Sequence, residues 1–380
     1  MDFQLNEEQS MLKDSVRRFM EDNCSFEKRG PVIDNGSLES RNWQQFAELG
    51  LLGLTVPEEF GGMNCSAVEA ALVMEEIGRT LCVEPYWAVA VLAAQTLIAT
   101  GDPKVSVILQ TLCLGELLAV LAHDEAAAHG GNPARVQTRA VALDEDRWRI
   151  SGEKAAVVGG NVAELLIVSA RTSGNDGDER GISLFLVDPK AQGVERRDVR
   201  LIDNRWASHI YLRDVEVGSK NLLGTVGQGF DAIRHGLDHA TIALCAEAIG
   251  VMERSLWITR DYLKIRKQFG QVLGDFQSLQ HRMSEMLIEL ELSRGMLHYA
   301  LSSLDESQGT RSKALAAAKA HIGKSGQFVC GQSIQLHGGI GVTEEYVIGH
   351  YFKRMTLINN ALGSSMHHFE KLAELERAPA

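Results

Sequence analysis

The sequence lacks any cluster of basic residues. Its 50 acidic and 38 basic side chains leave a formal net charge of -12 at pH 7, and the lysines and arginines are spread along the chain. A protein that binds nucleic acid needs a basic stripe that neutralises phosphate groups. We therefore expect no nucleic-acid partner.

Paired cysteines and long apolar runs are also missing. No two of the six cysteines form a C-x-x-C pair, and the acidic, polar start of the chain carries no signal-peptide pattern. We therefore expect reduced thiols in a cytoplasmic protein. No apolar run approaches the roughly 20 residues that a membrane-spanning helix requires, so we expect no membrane contact.

The order of helical and strand patterns predicts an α+β fold that is mostly α. The chain has 380 residues, enough for two or three folded units. Helical spacing of apolar residues predicts an N-terminal helical domain over 1–115. Short strand-like runs without intervening helices predict a middle antiparallel β-barrel domain over 116–225. Helical spacing returns over 226–380 and predicts a C-terminal four-helix bundle, with helices near 228–264, 275–306, 311–336 and within 345–375.

Local signals predict where three of the N-terminal helices begin or end. Asn6 with Gln9, and Ser66 with Glu69, have the spacing of capping boxes, in which each side chain satisfies a backbone N–H of the other residue. Gly50 follows a short amphipathic helix and is a good left-handed cap.

Two long helical patterns meet in the stretch 266–277. Gly270 and Gly274 interrupt the pattern, so Arg266 and Gln277 are expected on or beside a turn at one end of the bundle. The planar guanidinium of an arginine held there donates two parallel hydrogen bonds to a phosphate or pyrophosphate. An exposed arginine near the carbonyls of a helix end is an equally good interpretation of this residue alone.

Three motifs resemble the acyl-CoA dehydrogenase family, flavoproteins that oxidise acyl-CoA thioesters. The first is Arg266-Lys267-Gln268-Phe269-Gly270 followed by Phe276-Gln277. The others are Gln335-Leu336-His337-Gly338-Gly339-Ile340-Gly341 and Val56-Pro57-Glu58-Glu59-Phe60-Gly61-Gly62, and the order and spacing of all three match over nearly the whole chain. The resemblance implies FAD as the cofactor, contacted across a subunit interface. The implied FAD-binding residues are Arg266, Gln268, Phe269, Phe276, Gln277, Gln335, Gly338 and Gly339.

Two patterns suggest other ligands and are less convincing. Gly338-Gly339-x-Gly341 resembles a dinucleotide-binding loop, but a strand should precede such a loop and here a helix is predicted. His235 and His239 have the spacing of metal ligands on a helix, yet no third ligand is nearby in the sequence. We therefore expect neither a Rossmann site nor a metal site.

The catalytic base of the family is missing from both positions where it is expected. The family reaction removes the proton α to the thioester with a carboxylate and passes a β-hydride to the flavin, so a general base must reach the α-carbon. Most members place a glutamate nine residues after an arginine, which corresponds here to Arg354 and Gly363. A minority place it on the long helix just after a Leu-Asp pair, which corresponds to Ala240.

Other departures affect the contacts that the family makes to the flavin ring of the same subunit. Where the family has a tryptophan and a threonine close to this ring, the chain has Ala156 and Val158. The segment that usually reads Thr-Glu ahead of the ring is here Ala122-His123-Asp124-Glu125, and Thr241 replaces a common arginine near coenzyme A. By resemblance, the contacts to a neighbour's flavin are intact and those to the chain's own flavin are eroded.

This asymmetry resembles the base-lacking subunit of heteromeric acyl-CoA dehydrogenases, known for bulky or dicarboxylic acyl groups such as steroid side chains or pimeloyl-CoA. One alternative is a homomeric enzyme whose base is Asp238, Asp124 or Glu247. Another is a non-catalytic interaction protein that kept the fold and lost the flavin. The implied partners are an acyl-CoA substrate, a homologous subunit or a second copy of the chain, and an electron-transferring flavoprotein as electron acceptor.

Overall fold

The computed structural model describes residues 4–126 and 131–377. Its N-terminal part is helical, and a π-helical segment, Trp87–Ala93, leads directly into the fifth helix. The helices in this part are α1 (Glu7–Asn23), α2 (Gly30–Asn35), α3 (Ser40–Glu48), α4 (Ala67–Thr80), α5 (Ala94–Ala99) and α6 (Val105–Cys113).

The three predicted helix boundaries are confirmed. Gln9 N donates to Asn6 Oδ1 at 2.7 Å, and Asn6 N donates to Gln9 Oε1 at 3.1 Å. Ser66 N donates to Glu69 Oε2 at 2.9 Å, ahead of α4. Gly50 has a φ of 72° and follows α3 in the left-handed conformation that glycine tolerates best.

The middle of the chain forms an eight-stranded sheet. Its strand order is β6-β7-β3-β2-β4-β5-β8, with β1 paired to β4. The strands are β1 (Ala119–Ala122), β2 (Arg139–Ala142), β3 (Arg147–Val158), β4 (Leu165–Arg171), β5 (Ile182–Val187), β6 (Val194–Arg200), β7 (Trp206–Gly218) and β8 (Leu222–Leu223).

The sheet was correctly predicted, but a closed antiparallel barrel is not found in the described part of the chain. β4 runs parallel to both β1 and β2, and the other pairings are antiparallel. The path ends at β6, whose sequence Val-Glu-Arg-Arg-Asp-Val-Arg is largely exposed. Charged side chains on an edge strand oppose pairing with a further strand, so the sheet stays open at this edge.

The described residues of the C-terminal part form five helices and a small hairpin. The elements are α7 (Phe230–Ile265), β9 (Lys267–Gln268), β10 (Gln271–Val272), α8 (Gln277–Ser302), α9 (Gln308–His337), α10 (Val347–Asn360) and α11 (Ser365–Arg377). Three helices lie where the bundle prediction put them. The single last helix expected within 345–375 was wrong, because Leu362 and Gly363 have φ values of 55° and 97° and interrupt it.

Backbone contacts divide the described residues into two compact units. The helical unit comprises the described parts of Met1–Arg29, Ala71–Cys82 and Thr241–Ala380, and the sheet unit comprises those of Gly30–Ala70 and Val83–Ala240. The division into domains at 115 and 225 stays a prediction. No helix in the described part of the chain is long and apolar enough to cross a membrane.

Candidate cofactor and active site

The stretch that joins α7 to α8 is a tight hairpin, at the place where the sequence predicted a turn. β9 and β10 pair antiparallel, Gln268 with Gln271 and Lys267 with Val272. The two turn residues, Phe269 and Gly270, both have positive φ, at 55° and 85°. Positive φ at both central positions is the geometry of the two-residue turns that match the twist of a hairpin.

The hairpin presents most of the predicted FAD-binding residues to the solvent. Phe269 is 89% exposed, and its ring meets the half-buried Phe276 edge-on at 6.3 Å. Arg266, Gln268 and Gln277 are exposed. Among the described residues the Arg266 guanidinium has no hydrogen-bond or ion-pair partner, so its N–H groups are available to a ligand.

The second glycine motif forms the turn after α9. Gly338 has a φ of 65°, and a Cβ added at Gly338 or Gly339 would meet no atom within 4 Å. Neither glycine is therefore required by packing within the chain, and the space in front of this backbone is open. The exposed Gln335 belongs to the same helix end, where its carbonyl accepts a hydrogen bond from Gly338 N.

A stack of rings connects this turn to the end of α7. His337 lies flat against Tyr262 with ring centroids 4.3 Å apart, and Tyr346 approaches it to 5.2 Å. Tyr262 also accepts a backbone hydrogen bond from Arg266 N at 2.9 Å. The structure thereby brings Gly338 and Arg266 to one end of the helical unit. The sequence motif contains His337 but gives no sign of this stacking role.

The first position of the missing base cannot accommodate a side chain. Gly363 lies in the turn between α10 and α11 with a φ of 97°. A Cβ at this residue would lie 2.7 Å from His367 Cδ2 and 2.9 Å from His368 Nε2. Both the backbone and the two imidazoles oppose substitution, because only glycine adopts this φ at little cost.

A buried lysine holds the backbone of this turn. Lys319, on α9, donates from Nζ to the carbonyls of Ile358, Asn359 and Gly363 at 2.8, 3.1 and 2.9 Å. Burial lowers the pKa of Lys319 to about 8. We refer to this set of hydrogen bonds as the lysine clamp; nothing in the sequence pattern had marked Lys319.

His368 adds a further hydrogen bond to the same turn. Its Nε2–H donates to Leu362 O at 2.9 Å, and burial lowers the pKa of His368 to about 3. The carbonyls of the turn are thus directed toward Lys319 and His368.

Glu247, one of the alternative bases, is engaged in a buried ion pair. Arg354 Nε donates to Glu247 Oε1 at 2.7 Å, and a second bond joins Arg354 Nη2 to Glu247 Oε2. Glu247 is fully buried and Arg354 is 5% exposed. A carboxylate held by two charge-assisted hydrogen bonds is a poor proton acceptor, so Glu247 is excluded as the catalytic base. Ala240, the second base position, is fully buried within α7.

The sheet unit has its own buried ion pair, close to the strand residues where the resemblance implies contacts to a flavin ring. Lys154 Nζ donates to Glu125 Oε1 at 2.7 Å and to Ser169 Oγ at 3.0 Å. Burial lowers the pKa of Lys154. Just beyond it, the strand pairing of β3 shifts and Ala156 takes a φ of 51°. Ala156 and Val158 are half-exposed and offer neither an aromatic ring nor a hydroxyl.

One histidine of the pair on α7 is hydrogen-bonded within the sheet unit, to which both histidines belong. His235 Nε2–H donates to Gln95 Oε1 at 3.0 Å, and Gln95 Nε2 donates to Thr55 Oγ1 at 2.9 Å. The rings of His235 and His239 lie 4.5 Å apart. His235 is therefore a hydrogen-bond partner of Gln95.

Comparison with known proteins identifies the family. The chain matches the N-terminal, middle and C-terminal domains of acyl-CoA dehydrogenases over residues 6–107, 122–215 and 227–375. It is 30% identical over 372 residues to the probable acyl-CoA dehydrogenase YngJ of Bacillus subtilis. The aligned region covers 96% of this chain and 97% of the relative. The chain belongs to the acyl-CoA dehydrogenase family. Its relatives are named as oxidoreductases, both dehydrogenases and reductases.

Solved structures share the fold of this chain. A variant of a steroid acyl-CoA dehydrogenase, Tcur3481-Tcur3483, is 31% identical with a TM-score of 0.85, covering 97% of this chain and 98% of that one. The ChsE4-ChsE5 complex of Mycobacterium tuberculosis is 24% identical with a TM-score of 0.89 and covers 100% of both chains. The second likeness bears on the fold alone.

The residues present fit the pyrophosphate of the acyl-CoA dehydrogenase cofactor better than its flavin ring. The unengaged guanidinium of Arg266 and the open backbone at Gly338–Gly339 suit a pyrophosphate group. Phe269, three residues after Arg266, offers a flat and exposed apolar surface. Ala156 and Val158 provide no comparable contact for a flavin ring.

Proposed function

We propose that this chain is a flavoprotein subunit that takes part in the α,β-dehydrogenation of acyl-CoA thioesters by completing the FAD site of a partner subunit. The observation that carries the proposal is the turn at Gly363, where the family's usual carboxylate is absent and a side chain has no room. At the second base position, Ala240 offers no proton acceptor either.

The distribution of intact and eroded contacts supports a role across an interface. The exposed hairpin at Arg266 and the open turn at Gly338 project groups that the chain itself does not use. Ala156 and Val158 stand where its own flavin ring would need polar and aromatic contacts. A subunit that contributes to a neighbour's site keeps the first set and can lose the second.

Five of the eight proposed residues have a defined role toward FAD. Arg266 would hold the pyrophosphate with two parallel N–H bonds, and Gln277 would donate an amide hydrogen bond beside it. Phe269 would cover an apolar face and exclude water. Gly338 and Gly339 would let the cofactor approach the backbone. FAD, when bound, supplies the acceptor for the β-hydride.

The partner that this proposal requires is a homologous subunit that carries the glutamate. The substrate is an acyl-CoA, and a bulky acyl group such as a steroid side chain is favoured, since the Tcur3481-Tcur3483 relative is named as a steroid enzyme. An electron-transferring flavoprotein would reoxidise the flavin. These steps belong to fatty-acid or steroid side-chain catabolism in the cytoplasm.

The test compares the chain alone with the chain purified together with the product of a neighbouring gene. We expect the pair to bind FAD and to oxidise acyl-CoA with an artificial electron acceptor, and the isolated chain to show little or no turnover even with added FAD. Steady turnover by the pure, partner-free chain would refute the proposal and favour a homomeric enzyme with a different base. Absence of flavin from both preparations would favour a non-catalytic protein.

A further inference from the structure

Two buried thiols lie side by side in the helical unit. The sulfur atoms of Cys24 and Cys82 lie within 4.8 Å of each other, and the two residues are 4% and 1% exposed. They are far apart in the sequence, and the fold of the helical unit brings them together. A sulfenic acid formed at one thiol condenses with a neighbouring thiol to give a disulfide. The pair is therefore a place where oxidation would join two distant parts of the chain.

Each cysteine follows a helix whose end fixes its backbone. Cys24 caps α1, and its N–H donates to Met20 O at 2.8 Å. α4 ends in a Schellman motif, in which Leu81 has a φ of 56° and Cys82 N donates to Ile77 O at 3.1 Å. Regular backbone hydrogen bonds thus set the positions of both cysteines.

Ion pairs bind these two helices to each other. Lys13 Nζ on α1 lies 2.6 Å from Glu75 Oε2 on α4. One turn further along α1, Arg17 Nη2 lies 2.8 Å from Glu76 Oε1. Because these contacts hold α1 against α4, the two thiols stay close without a covalent bond. An S–S bond is about 2 Å long, so side-chain rotation closes the remaining gap.

Three other buried cysteines resist oxidation. Burial raises the pKa of Cys245 and Cys330 to about 12 and that of Cys113 to about 11. The thiolate is the form that attacks an oxidant, so these three thiols react slowly at neutral pH. They serve as internal controls within the same chain.

We propose that hydrogen peroxide converts Cys24 and Cys82 into a reversible disulfide that joins the ends of α1 and α4. The inference goes beyond the proposed function, because it involves neither FAD nor a partner subunit. The burial of both sulfurs favours a small oxidant such as peroxide over a protein disulfide or oxidised glutathione.

The reaction has two steps. The thiolate of Cys24, the less buried of the two, attacks one peroxide oxygen, so that the O–O bond breaks and a sulfenic acid and a hydroxide form. The thiolate of Cys82 then attacks the sulfur of Cys24, the S–S bond forms, and the S–O bond breaks to release a second hydroxide. The hydroxides take up the two thiol protons, so two thiols and one peroxide give one disulfide and two waters.

The test treats the reduced full-length chain with hydrogen peroxide, blocks the remaining thiols with iodoacetamide and maps the unreduced tryptic peptides by mass spectrometry. We expect a linked peptide that contains Cys24 and Cys82 and that dithiothreitol separates. Cys82→Ser should give no such link and should accumulate sulfenic acid at Cys24, trapped with dimedone. Cys330→Ser, which changes another buried thiol of the helical unit, is the matched control and should form the link to the native extent.

The proposal is overturned if both cysteines of the native chain remain alkylated by iodoacetamide after peroxide treatment, or if they are oxidised without a linked peptide. If Cys82→Ser does not fold, the native chain decides. Folded, it should give the Cys24–Cys82 link as its main disulfide, whereas oxidation in concentrated urea should give a mixture of pairings. The same mixture from the folded chain would exclude a preformed pair. The assay needs no flavin, acyl-CoA or partner, so its outcome is independent of the proposed function.

Discussion

Under the proposed function, single residues decide which parts of the family chemistry this chain retains. Arg266 and Gly363 illustrate the two outcomes, since one is an unengaged cation on an exposed hairpin and the other is a glycine enclosed by two imidazoles. The first could be predicted from the sequence motif. The second could be predicted only as a missing carboxylate, because the enclosing rings of His367 and His368 follow from how the turn folds.

Replacement of Arg266 by alanine should weaken FAD binding by the assembled complex more than by the isolated chain. Loss of a charge-assisted contact to a pyrophosphate should cost roughly 1.5–3 kcal/mol. FAD retention during dialysis, followed by flavin fluorescence, measures the effect. Arg260→Ala is a matched control. Arg260 lies one to two turns before Arg266 on α7, and it pairs with Asp261. Equal retention in the Arg266 variant and the native complex would contradict the assignment.

Installing a glutamate at either base position should fail to restore dehydrogenation. Gly363→Glu forces a side chain into a φ of 97°, which costs about 1–2 kcal/mol before any clash with His367. Ala240→Glu places a carboxylate at a fully buried residue, and an unpaired buried charge destabilises the fold. The measurement is anaerobic mixing with acyl-CoA. Bleaching of the flavin band by either variant would show that the chain's own site is otherwise whole.

At the scale of elements, the turn between α10 and α11 is organised by a third helix. Lys319 on α9 reaches the carbonyls of Ile358, Asn359 and Gly363, and it is 1% exposed. The sequence predicted one continuous helix in this region because its apolar spacing continues on both sides. Two consecutive positive φ values were not visible in that spacing, since only one of the two residues is a glycine.

Replacing Lys319 by methionine should loosen this turn selectively. Three buried carbonyls would lose their donor, and each unsatisfied group costs about 1–3 kcal/mol, partly offset because a desolvated ammonium is removed as well. We expect faster amide exchange confined to residues 358–364, detected by hydrogen–deuterium exchange mass spectrometry. Lys313→Met on the same helix is the control, because the Lys313 side chain is 39% exposed and pairs with Glu376 at the surface.

Uniform protection of residues 358–364 in Lys319→Met and native protein would show that the lysine clamp does not hold the turn.

For the whole molecule, the sequence predicted the fold class well and the sheet topology poorly. Helical and strand periodicities identify which segments bury one face, so the order of α, β and α regions could be read from them. Parallel pairing of β4 with β1 and β2 depends on contacts between distant segments, which periodicity does not encode. The open edge at β6 could not be predicted either, because its charged residues are common on any solvent-facing strand.

Stability should fall on acidification below pH 6.5 in both units. Burial lowers the pKa of His123 in the sheet unit and of His368 in the helical unit to about 3. In the unfolded chain these histidines have an ordinary pKa near 6.5, so below this pH they bind protons that they do not bind in the folded chain. Each residue therefore removes about 1.4 kcal/mol of unfolding free energy per pH unit between these values.

Urea unfolding at pH 7.5, 6 and 4.5 measures this loss. His368→Asn should flatten the acid dependence, whereas His281→Gln, which changes an exposed residue, should leave it unchanged. Acid dependence that is identical in all three proteins would show that the buried histidines do not control it.

The enclosed glycine also has a consequence for inheritance. Recovery of a carboxylate at residue 363 requires that His367 and His368 move and that the backbone leave its φ of 97°, so several substitutions must occur together. Selection acts on one substitution at a time. A protein that carries only the first of the required substitutions is destabilised. Under the proposed function, a subunit of this kind loses its own catalytic carboxylate easily and regains it only with difficulty. The gene for the base-bearing subunit must then be retained wherever this one is.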